Sequence, residues 1–167
     1  MPFTIRDFQP ADFDTLWHID QQCFAPGIAY SRGELNFYIR RRASFTLLAV
    51  EASSDDPDSG QRKKNSPPIA LAPVAGFIVA EAGRTSGHII TIDVIAQARR
   101  SGVGSLLLAA AEDRLRQARC RSVELETAVD NVSALQFYKR HGYSVVKTFP
   151  RYYSNGVDAL VLEKNLV

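Results

Sequence analysis

A basic, glycine-rich run, Arg-Arg-Ser-Gly-Val-Gly at residues 99–104, has the residue types of a site for a phosphate-bearing ligand. It lies between a β-branched stretch, His88–Ile95, typical of a strand, and a stretch of helix formers that begins at Ser105. Unpaired N–H groups at the start of a helix favour anions, and glycine lets the backbone approach a ligand closely. An ordinary turn between a strand and a helix would look similar, so that second interpretation stays open here.

The residues after this run exclude two common nucleotide-binding motifs. A P-loop requires Lys directly after its last glycine, whereas Ser105 follows Gly104. A dinucleotide-binding loop requires a third glycine three residues further on, where this chain has Leu107. The pattern that is present, Arg-x-x-Gly-x-Gly, therefore points to another phosphate-bearing ligand.

Composition indicates one soluble globular domain over residues 1–167, with 46% hydrophobic residues, 23% charged residues and a formal net charge of +2. No apolar run approaches the roughly 20 residues that span a bilayer, and the N-terminus lacks a signal-peptide pattern. Cys23 and Cys120 have neither disulfide nor metal-ligand spacing, and no spacing of His18, His88 and His141 suggests a metal site or a triad. We therefore expect a cytoplasmic protein without a metal, and we interpret the three histidines as structural.

The elements that position the glycine run follow the order β-α-α-β-β-β-α-β-α-β-β. Strands are predicted at Phe3–Phe8, Phe45–Ala52, Val74–Glu81, His88–Ile95, Ser122–Thr127, Tyr143–Thr148 and Asp158–Glu163. Helices are predicted at Pro10–Phe24, Arg32–Arg42, Gly102–Ala118 and Asp130–Arg140. Ser31 and Glu34 have capping-box spacing. Residues 53–68 contain no apolar side chain, which predicts a mobile polar loop.

This element order, the glycine run and a second stretch together resemble the GNAT superfamily of N-acetyltransferases. The second stretch has a strand that contains Glu126, Asn131 at the start of the next helix, Tyr138, and then a Gly-aromatic pair. The resemblance is clearest over residues 88–143. It implies an α/β fold with a mixed, mostly antiparallel sheet flanked by about four helices, in which the fourth and fifth strands splay apart.

Within the superfamily, the chain is most similar to the ribosomal-protein alanine N-acetyltransferases, which acetylate a protein N-terminal amine. Cys-Phe at 23–24, the spacing from Glu126 to Tyr138, and Tyr-Tyr at 152–153 carry this similarity. That family usually has Pro-Trp-Ser before its second helix, whereas residues 26–31 here are two residues longer and lack Trp. Because this segment shapes the acceptor site, the resemblance supports the reaction better than it supports the substrate.

The resemblance implies a proton-accepting role for Glu126 and a proton-donating role for Tyr138. An attacking amine must be neutral, and a phenol can protonate a departing thiolate. Strand alternation places Glu126 and Glu124 on one face of Ser122–Thr127, and we assign Glu124 to solvent. A solvated carboxylate at 126 and a core aromatic residue at 138 are the alternatives.

The resemblance also implies acetyl-coenzyme A as the acetyl donor, bound along the fourth strand and over the glycine run. The expected coenzyme-binding residues are Ile92, Asp93 and Val94 through their backbone, with Arg99, Arg100, Ser101, Gly102, Val103, Gly104, Ser105 and Asn131. Tyr30, Tyr152 and Tyr153 are expected to bind the acceptor.

We expect the acceptor to be a protein or peptide N-terminus, such as that of a ribosomal protein, with no requirement for nucleic acid or a membrane. The protein is expected to be a monomer or a weak dimer. One alternative is an acetyltransferase for a small amine or a Lys side chain. Another is an acyl-coenzyme A–binding module without turnover, although such a module would require neither Glu126 nor Tyr138.

Overall fold

A computed structural model describes residues 2–52 and 72–167, which form seven strands and four α-helices. The strands are β1 (Phe3–Asp7), β2 (Ser44–Glu51), β3 (Val74–Ala82), β4 (Ser86–Val94), β5 (Ser122–Ala128), β6 (Ser144–Phe149) and β7 (Ala159–Asn165). The helices are α1 (Phe13–Cys23), α2 (Arg32–Arg40), α3 (Val103–Gln117) and α4 (Val132–Arg140). The polar loop predicted at residues 53–68 lies outside the described residues.

The predicted element order is confirmed, and most boundaries differ by one or two residues. The first helix is an exception, because Pro10–Asp12 forms a separate 3-10 turn before α1. The second helix ends at Arg40, since Arg41 is already extended and its guanidinium pairs with Glu81 on β3 at 3.2 Å. The predicted capping box is present: the Ser31 hydroxyl accepts from the N–H of Glu34, whose carboxylate accepts from the N–H of Ser31.

All seven strands form one sheet in the order β1-β2-β3-β4-β5-β7-β6. Every neighbouring pair is antiparallel except β4 and β5, which are parallel. These two strands pair only where Ser86–Ile89 lies beside Ser122–Leu125, and beyond those residues they separate. The structure therefore confirms the predicted mixed sheet and its splay, which leaves one edge of β4 free.

Two hydrophobic clusters cover the two faces of the sheet. The larger cluster includes Leu107, Leu108 and Leu115 of α3, and the smaller one includes Leu16 of α1 and Leu35 of α2. The pairing of β3 with β4 skips Ile90, because Ala80 pairs with Ile89 and Val79 pairs with Thr91. Such a bulge changes the face to which the later side chains of a strand point. None of the helices in the described ranges is both long and apolar enough to cross a membrane.

Candidate active site

The glycine run forms the turn that leads into α3. Arg100 has φ 63° and Gly102 has φ 88°, so left-handed residues lie on either side of Ser101. Alternation of this kind turns successive N–H groups toward one concavity, where they can bind an anion. Gly102 directly precedes the first residue of α3. The N–H groups in the first turn of a helix have no partners within that helix. The loop therefore has the geometry of the predicted phosphate site.

Gly104 allows α3 to approach α4. A Cβ atom at Gly104 would lie 3.3 Å from the Phe137 ring, which is tighter than an ordinary van der Waals contact. Ser105, one residue later, donates a hydrogen bond from its hydroxyl to Nε2 of His141 at 2.9 Å. His141 is fixed in turn by the carbonyl of Phe137 at 2.8 Å, so it has the structural role predicted for it.

We expect Gly102→Ala to lower the free energy of unfolding by about 1 kcal/mol, because a side chain at φ 88° is strained. No atom lies within 4 Å of the position that its Cβ would occupy, so a steric clash is not involved. Gly33→Ala is the matched control, since Gly33 also has free space but lies in α2 without a positive φ. Urea unfolding should show loss at Gly102 and a gain at Gly33, and equal effects would contradict this explanation.

The splay frees the backbone of alternate residues on β4. The N–H of Ile95 donates to Ala75 on β3, and Asp93 pairs with Phe77 in the same ladder, so both turn their backbone groups toward β3. Ile92 and Val94, between them, turn theirs toward the gap. The prediction that the backbone of Asp93 binds the coenzyme was therefore wrong, because we treated three consecutive residues as equally free.

The carbonyl of Val94 already has two weak partners on its free side. Nε of Arg99 donates to it at 3.2 Å, and the Cys23 thiol at the end of α1 donates to it at 3.4 Å. Burial, followed by the charge of Asp93, raises the pKa of Cys23 to about 11, so this thiol is neutral near pH 7. Arg99 thus lies where the free strand edge meets the glycine loop, as expected for a residue beside a phosphate.

His88 and Glu126 form a hydrogen-bonded pair that the sequence did not predict. Nε2 of His88 on β4 lies 2.6 Å from Oε2 of Glu126 on β5. Burial lowers the pKa of His88, but the hydrogen bond and charge of Glu126, aided by Glu124 and Glu81, raise it above its ordinary value overall. His88, which we interpreted as structural from the sequence, thus contacts the candidate base directly.

Tyr138 lies on the inner face of α4 and is only 6% exposed. Burial raises the pKa of its phenol, and the charge of Asp93 adds to this effect. Because its pKa is raised, this phenol stays protonated near neutral pH, and no hydrogen bond from it is found within residues 2–52 and 72–167. Asn131, at the start of the same helix, accepts the N–H of Ala134 at 3.2 Å and so has at least the helix-capping role.

The three tyrosines predicted at the acceptor site come from two loops that touch each other. Tyr30 precedes α2, whereas Tyr152 and Tyr153 lie between β6 and β7 and contact each other edge to face. The Ser154 hydroxyl donates to the carbonyl of Gly27 at 2.8 Å and thereby joins the two loops. We call this contact the loop clasp.

A cavity of about 1110 Å³ connects the glycine loop, the free edge of β4, Glu126, Tyr138 and the three tyrosines of the two loops. Most of the predicted residues line it: Tyr30, Ile92, Val94, Arg99, Arg100, Gly102, Gly104, Ser105, Glu126, Asn131, Tyr138, Tyr152 and Tyr153. Asp93, Ser101 and Val103 do not; the Ser101 hydroxyl donates to the carbonyl of Ala98, and the Val103 side chain is buried in the core. Residues that the sequence did not suggest also line the cavity, including Cys23, Ile28 and Thr91.

Comparison with known protein families identifies the family to which this chain belongs. The model of the Acetyltransferase (GNAT) family matches residues 15–143, which is most of the chain and includes the glycine loop, Glu126 and Tyr138. The chain belongs to this family. The GNAT resemblance recognised in the sequence is therefore confirmed.

Curated relatives of this GNAT chain are named as N-acetyltransferases. A segment of 92 residues is 38% identical to an uncharacterised N-acetyltransferase of Methanocaldococcus jannaschii, covering 54% of this chain and 59% of that protein. A segment of 77 residues is 36% identical to an N-alpha-acetyltransferase of Sulfurisphaera tokodaii, covering 46% of each protein. The matched segments thus span only about half the length of these curated relatives.

Solved structures agree over the whole chain. The Ard1 protein of Thermoplasma volcanium superimposes with a TM-score of 0.81 at 27% identity, covering 100% of this chain and 99% of that one. The ribosomal-protein-S18-alanine N-acetyltransferase of Escherichia coli superimposes with a TM-score of 0.78 at 18% identity, covering 99% of this chain and 94% of that one. At that identity, the second likeness establishes the shared fold alone.

Proposed function

We propose that this GNAT protein transfers an acetyl group from acetyl-coenzyme A to the N-terminal α-amine of a protein or peptide. The observation that carries the proposal is the cavity that runs from the glycine loop, past Glu126 and Tyr138, to the tyrosines of the two loops. An anion site, a candidate base and acid, and an acceptor region thus share one space. The relatives named N-alpha-acetyltransferase support this type of acceptor.

The residues present fit acetyl-coenzyme A. The N–H groups around Gly102 and the guanidinium groups of Arg99 and Arg100 suit its phosphates. Ile92 and Val94 turn backbone groups toward the gap, where an extended chain of amides can bind them in the way a neighbouring strand would. When bound, acetyl-coenzyme A supplies the activated acetyl thioester.

Glu126, supported by His88, is suited to accept a proton. An α-amine has an ordinary pKa of about 8, so much of it is protonated at neutral pH and must lose a proton before attack. The Glu126 carboxylate is 16% exposed and faces the cavity, which places it where the amine would enter. His88 holds this carboxylate from the other strand and shares the proton that the pair receives.

Tyr138 is suited to donate a proton. Tyr138 lines the cavity from α4, and its hydroxyl is protonated over the physiological pH range because burial raises its pKa. A neutral phenol can stabilise or protonate a thiolate that leaves when the acetyl group has moved. Acid and base thus come from different elements, α4 and β5, and meet across the splay.

The loop clasp supports an acceptor with a free chain end. Because the loops around Gly27 and Ser154 join each other beside the acceptor region, they narrow the entrance and favour a slender, extended substrate. A protein N-terminus meets this requirement. The finer prediction of a ribosomal-protein alanine as the acceptor rests on the sequence resemblance, and the chain lacks the Pro-Trp-Ser segment that usually accompanies it.

The His88–Glu126 pair leads us to predict how kcat/KM depends on pH. Below the pKa of His88 the pair already holds a proton and is a poor base, so activity should rise as pH passes through that raised pKa. With both the pair and the amine losing protons, log kcat/KM should rise with a slope of about 2 per pH unit on the acid side. In His88→Gln, only the amine contributes and the slope should be about 1. Identical slopes would remove His88 from the proton-accepting pair.

A panel of acceptors tests the proposal as a whole. The protein is incubated with acetyl-coenzyme A and with peptides that have a free N-terminus, N-terminally blocked peptides with an internal Lys, or small polyamines. Release of free thiol is followed, and mass spectrometry locates the acetyl group. We expect transfer to the free α-amine alone. Transfer only to Lys or polyamines would contradict this acceptor, and tight coenzyme binding without any transfer would favour a binding module.

A further inference from the structure

Two carboxyl groups that the proposed reaction does not use lie buried together beneath the acceptor region. Asp20 of α1 is 0% exposed and Asp93 of β4 is 1% exposed. They are neighbours across the interface between α1 and β4, since each carboxyl shifts the pKa of the other. Two carboxylates buried as neighbours repel each other strongly if both are ionised.

Each carboxyl has one oxygen with a partner and one without. Oδ2 of Asp20 accepts from the N–H of Tyr30 at 2.8 Å, and Oδ1 of Asp93 accepts from the Thr91 hydroxyl at 2.5 Å. Oδ1 of Asp20 and Oδ2 of Asp93 are buried without a partner. A single proton between these two oxygens would satisfy both of them, and no other group would have to move.

We propose that Asp20 and Asp93 share one proton and that the pair positions the acceptor site by fixing the Tyr30 segment against β4. The bulge at Ile90 is what makes this contact feasible, since it changes the face to which Asp93 points. Burial and the neighbouring carboxyl raise the pKa of Asp93, so we place the shared proton on Asp93; Asp20 then accepts from the N–H of Tyr30 as the carboxylate.

Several hydrogen bonds from neighbouring elements fix the position of Tyr30 beside the acceptor region. Besides Asp20, two more side chains of α1 hold the backbone of Tyr30: Nε2 of Gln21 donates to its carbonyl at 2.7 Å and Nε1 of Trp17 at 3.3 Å. The Tyr30 hydroxyl reaches the carbonyl of Ile90 at 3.4 Å. Side chains of helix α1 thus bind both the N–H and the carbonyl of Tyr30. The carboxyl pair connects this helix to strand β4.

The groups that face the pair leave it without a neutralising cation. Cys23 of α1, Tyr30 and Tyr138 of α4 are neutral near pH 7, since burial raises the pKa of each. Glu34 of α2 adds a negative charge that disfavours ionisation of Asp20. Arg99 donates to the Cys23 thiol at 3.8 Å, and no contact in the described part of the chain brings it to either carboxyl. Retention of a proton is the remaining way to avoid two adjacent buried charges.

Asp93→Asn tests the shared proton directly, because Asn supplies a permanent N–H where we place that proton. An unfolded Asp has an ordinary pKa of about 3.9, so the folded protein binds this proton more tightly than the unfolded chain does. The stability that the proton contributes is complete below the unfolded pKa and is lost as pH rises toward the folded pKa. We therefore expect the variant to have a higher Tm than the wild type by roughly 3–6 °C at pH 8, and by less at pH 5.

Asp12→Asn is the matched control. Asp12 is also buried, but it pairs with Arg6 through two hydrogen bonds of 2.8 Å, which hold its pKa below the ordinary value. This substitution should lower Tm, and the loss should be the same at pH 5 and pH 8. If Asp93→Asn behaves as Asp12→Asn does, or if its effect is independent of pH, the shared proton is excluded.

The positioning role is tested by kinetics and rests on the proposed acetyl transfer. Asp93→Leu should raise the KM for the acceptor peptide about tenfold and leave the KM for acetyl-coenzyme A unchanged, whereas Asp93→Asn should restore the acceptor KM. An unchanged acceptor KM in Asp93→Leu would contradict the positioning role. The Tm comparison requires no activity, so failure of the proposed function would not affect the test of the shared proton.

Discussion

Glu126→Gln is expected to lower kcat by roughly 100-fold or more, since a general base typically contributes 100-fold to 10,000-fold. Gln keeps the size of the side chain and can still contact His88, but it cannot accept a proton from the amine. The dissociation constant for coenzyme A should stay within about twofold, because the predicted coenzyme contacts come from the glycine loop and the edge of β4. Steady-state kinetics with a peptide acceptor and calorimetric titration with coenzyme A measure the two quantities.

The control is Glu124→Gln on the same strand. Glu124 projects from the same face of β5 and lies opposite His88 in the parallel register, yet the carboxylate that His88 contacts is that of Glu126. Its removal changes the local charge to the same extent but leaves the candidate base in place. Equal losses in the two variants would mean that general electrostatics, and not proton acceptance at Glu126, accounts for the effect.

Tyr138→Phe is expected to lower kcat by roughly 100-fold while the protein unfolds at the same temperature. The substitution removes one hydroxyl from a ring that is 6% exposed and keeps the edge-to-face contacts with Phe137 and Tyr143. Because no hydrogen bond contributes to the pKa of this phenol, we expect its loss to leave little unsatisfied. We therefore expect the hydroxyl to be dispensable for stability and required for acetyl transfer.

Tyr143→Phe should show the opposite pattern. The ring of Tyr143 lies 5.6 Å from that of Tyr138, but its hydroxyl donates to the buried carboxylate of Glu112 at 3.0 Å. Loss of this bond should lower the free energy of unfolding by about 1 kcal/mol and leave kcat nearly unchanged. Thermal unfolding and kinetics of both variants separate the roles, and a large kcat loss in Tyr143→Phe would show that the loss of activity is not specific to the hydroxyl of Tyr138.

The order of elements was predictable because the signals for it are local. Periodicity distinguished strands from helices, Ser31 and Glu34 marked the start of α2, and the glycines before α3 marked the turn. What local signals could not give is the sheet register. The bulge at Ile90 has no signature in a run of β-branched residues, so the reversal of Asp93 toward α1 was not foreseen.

Part of the candidate site was also predictable, because the motifs that carry the family resemblance are local in the sequence. The resemblance supplied Glu126 and Tyr138, and the structure places both at the cavity. His88 was missed because its partner is 38 residues away and the contact depends on the parallel register of β4 and β5. A parallel neighbour could be inferred from the crossover through α3, but the alignment of the two strands could not.

The splay also divides the sheet into a part that is synthesised early and a part that is synthesised late. Strands β1 to β4 form a continuous antiparallel unit, and in the described residues four residue pairs join it to the later strands. The glycine loop and His88 precede Glu126, Tyr138 and the Tyr152–Tyr153 pair in the chain. A nascent chain that ends after α3 therefore lacks the candidate acid, the candidate base and two of the three tyrosines that line the cavity. We infer that the cavity is complete only once β5 to β7 have joined the sheet.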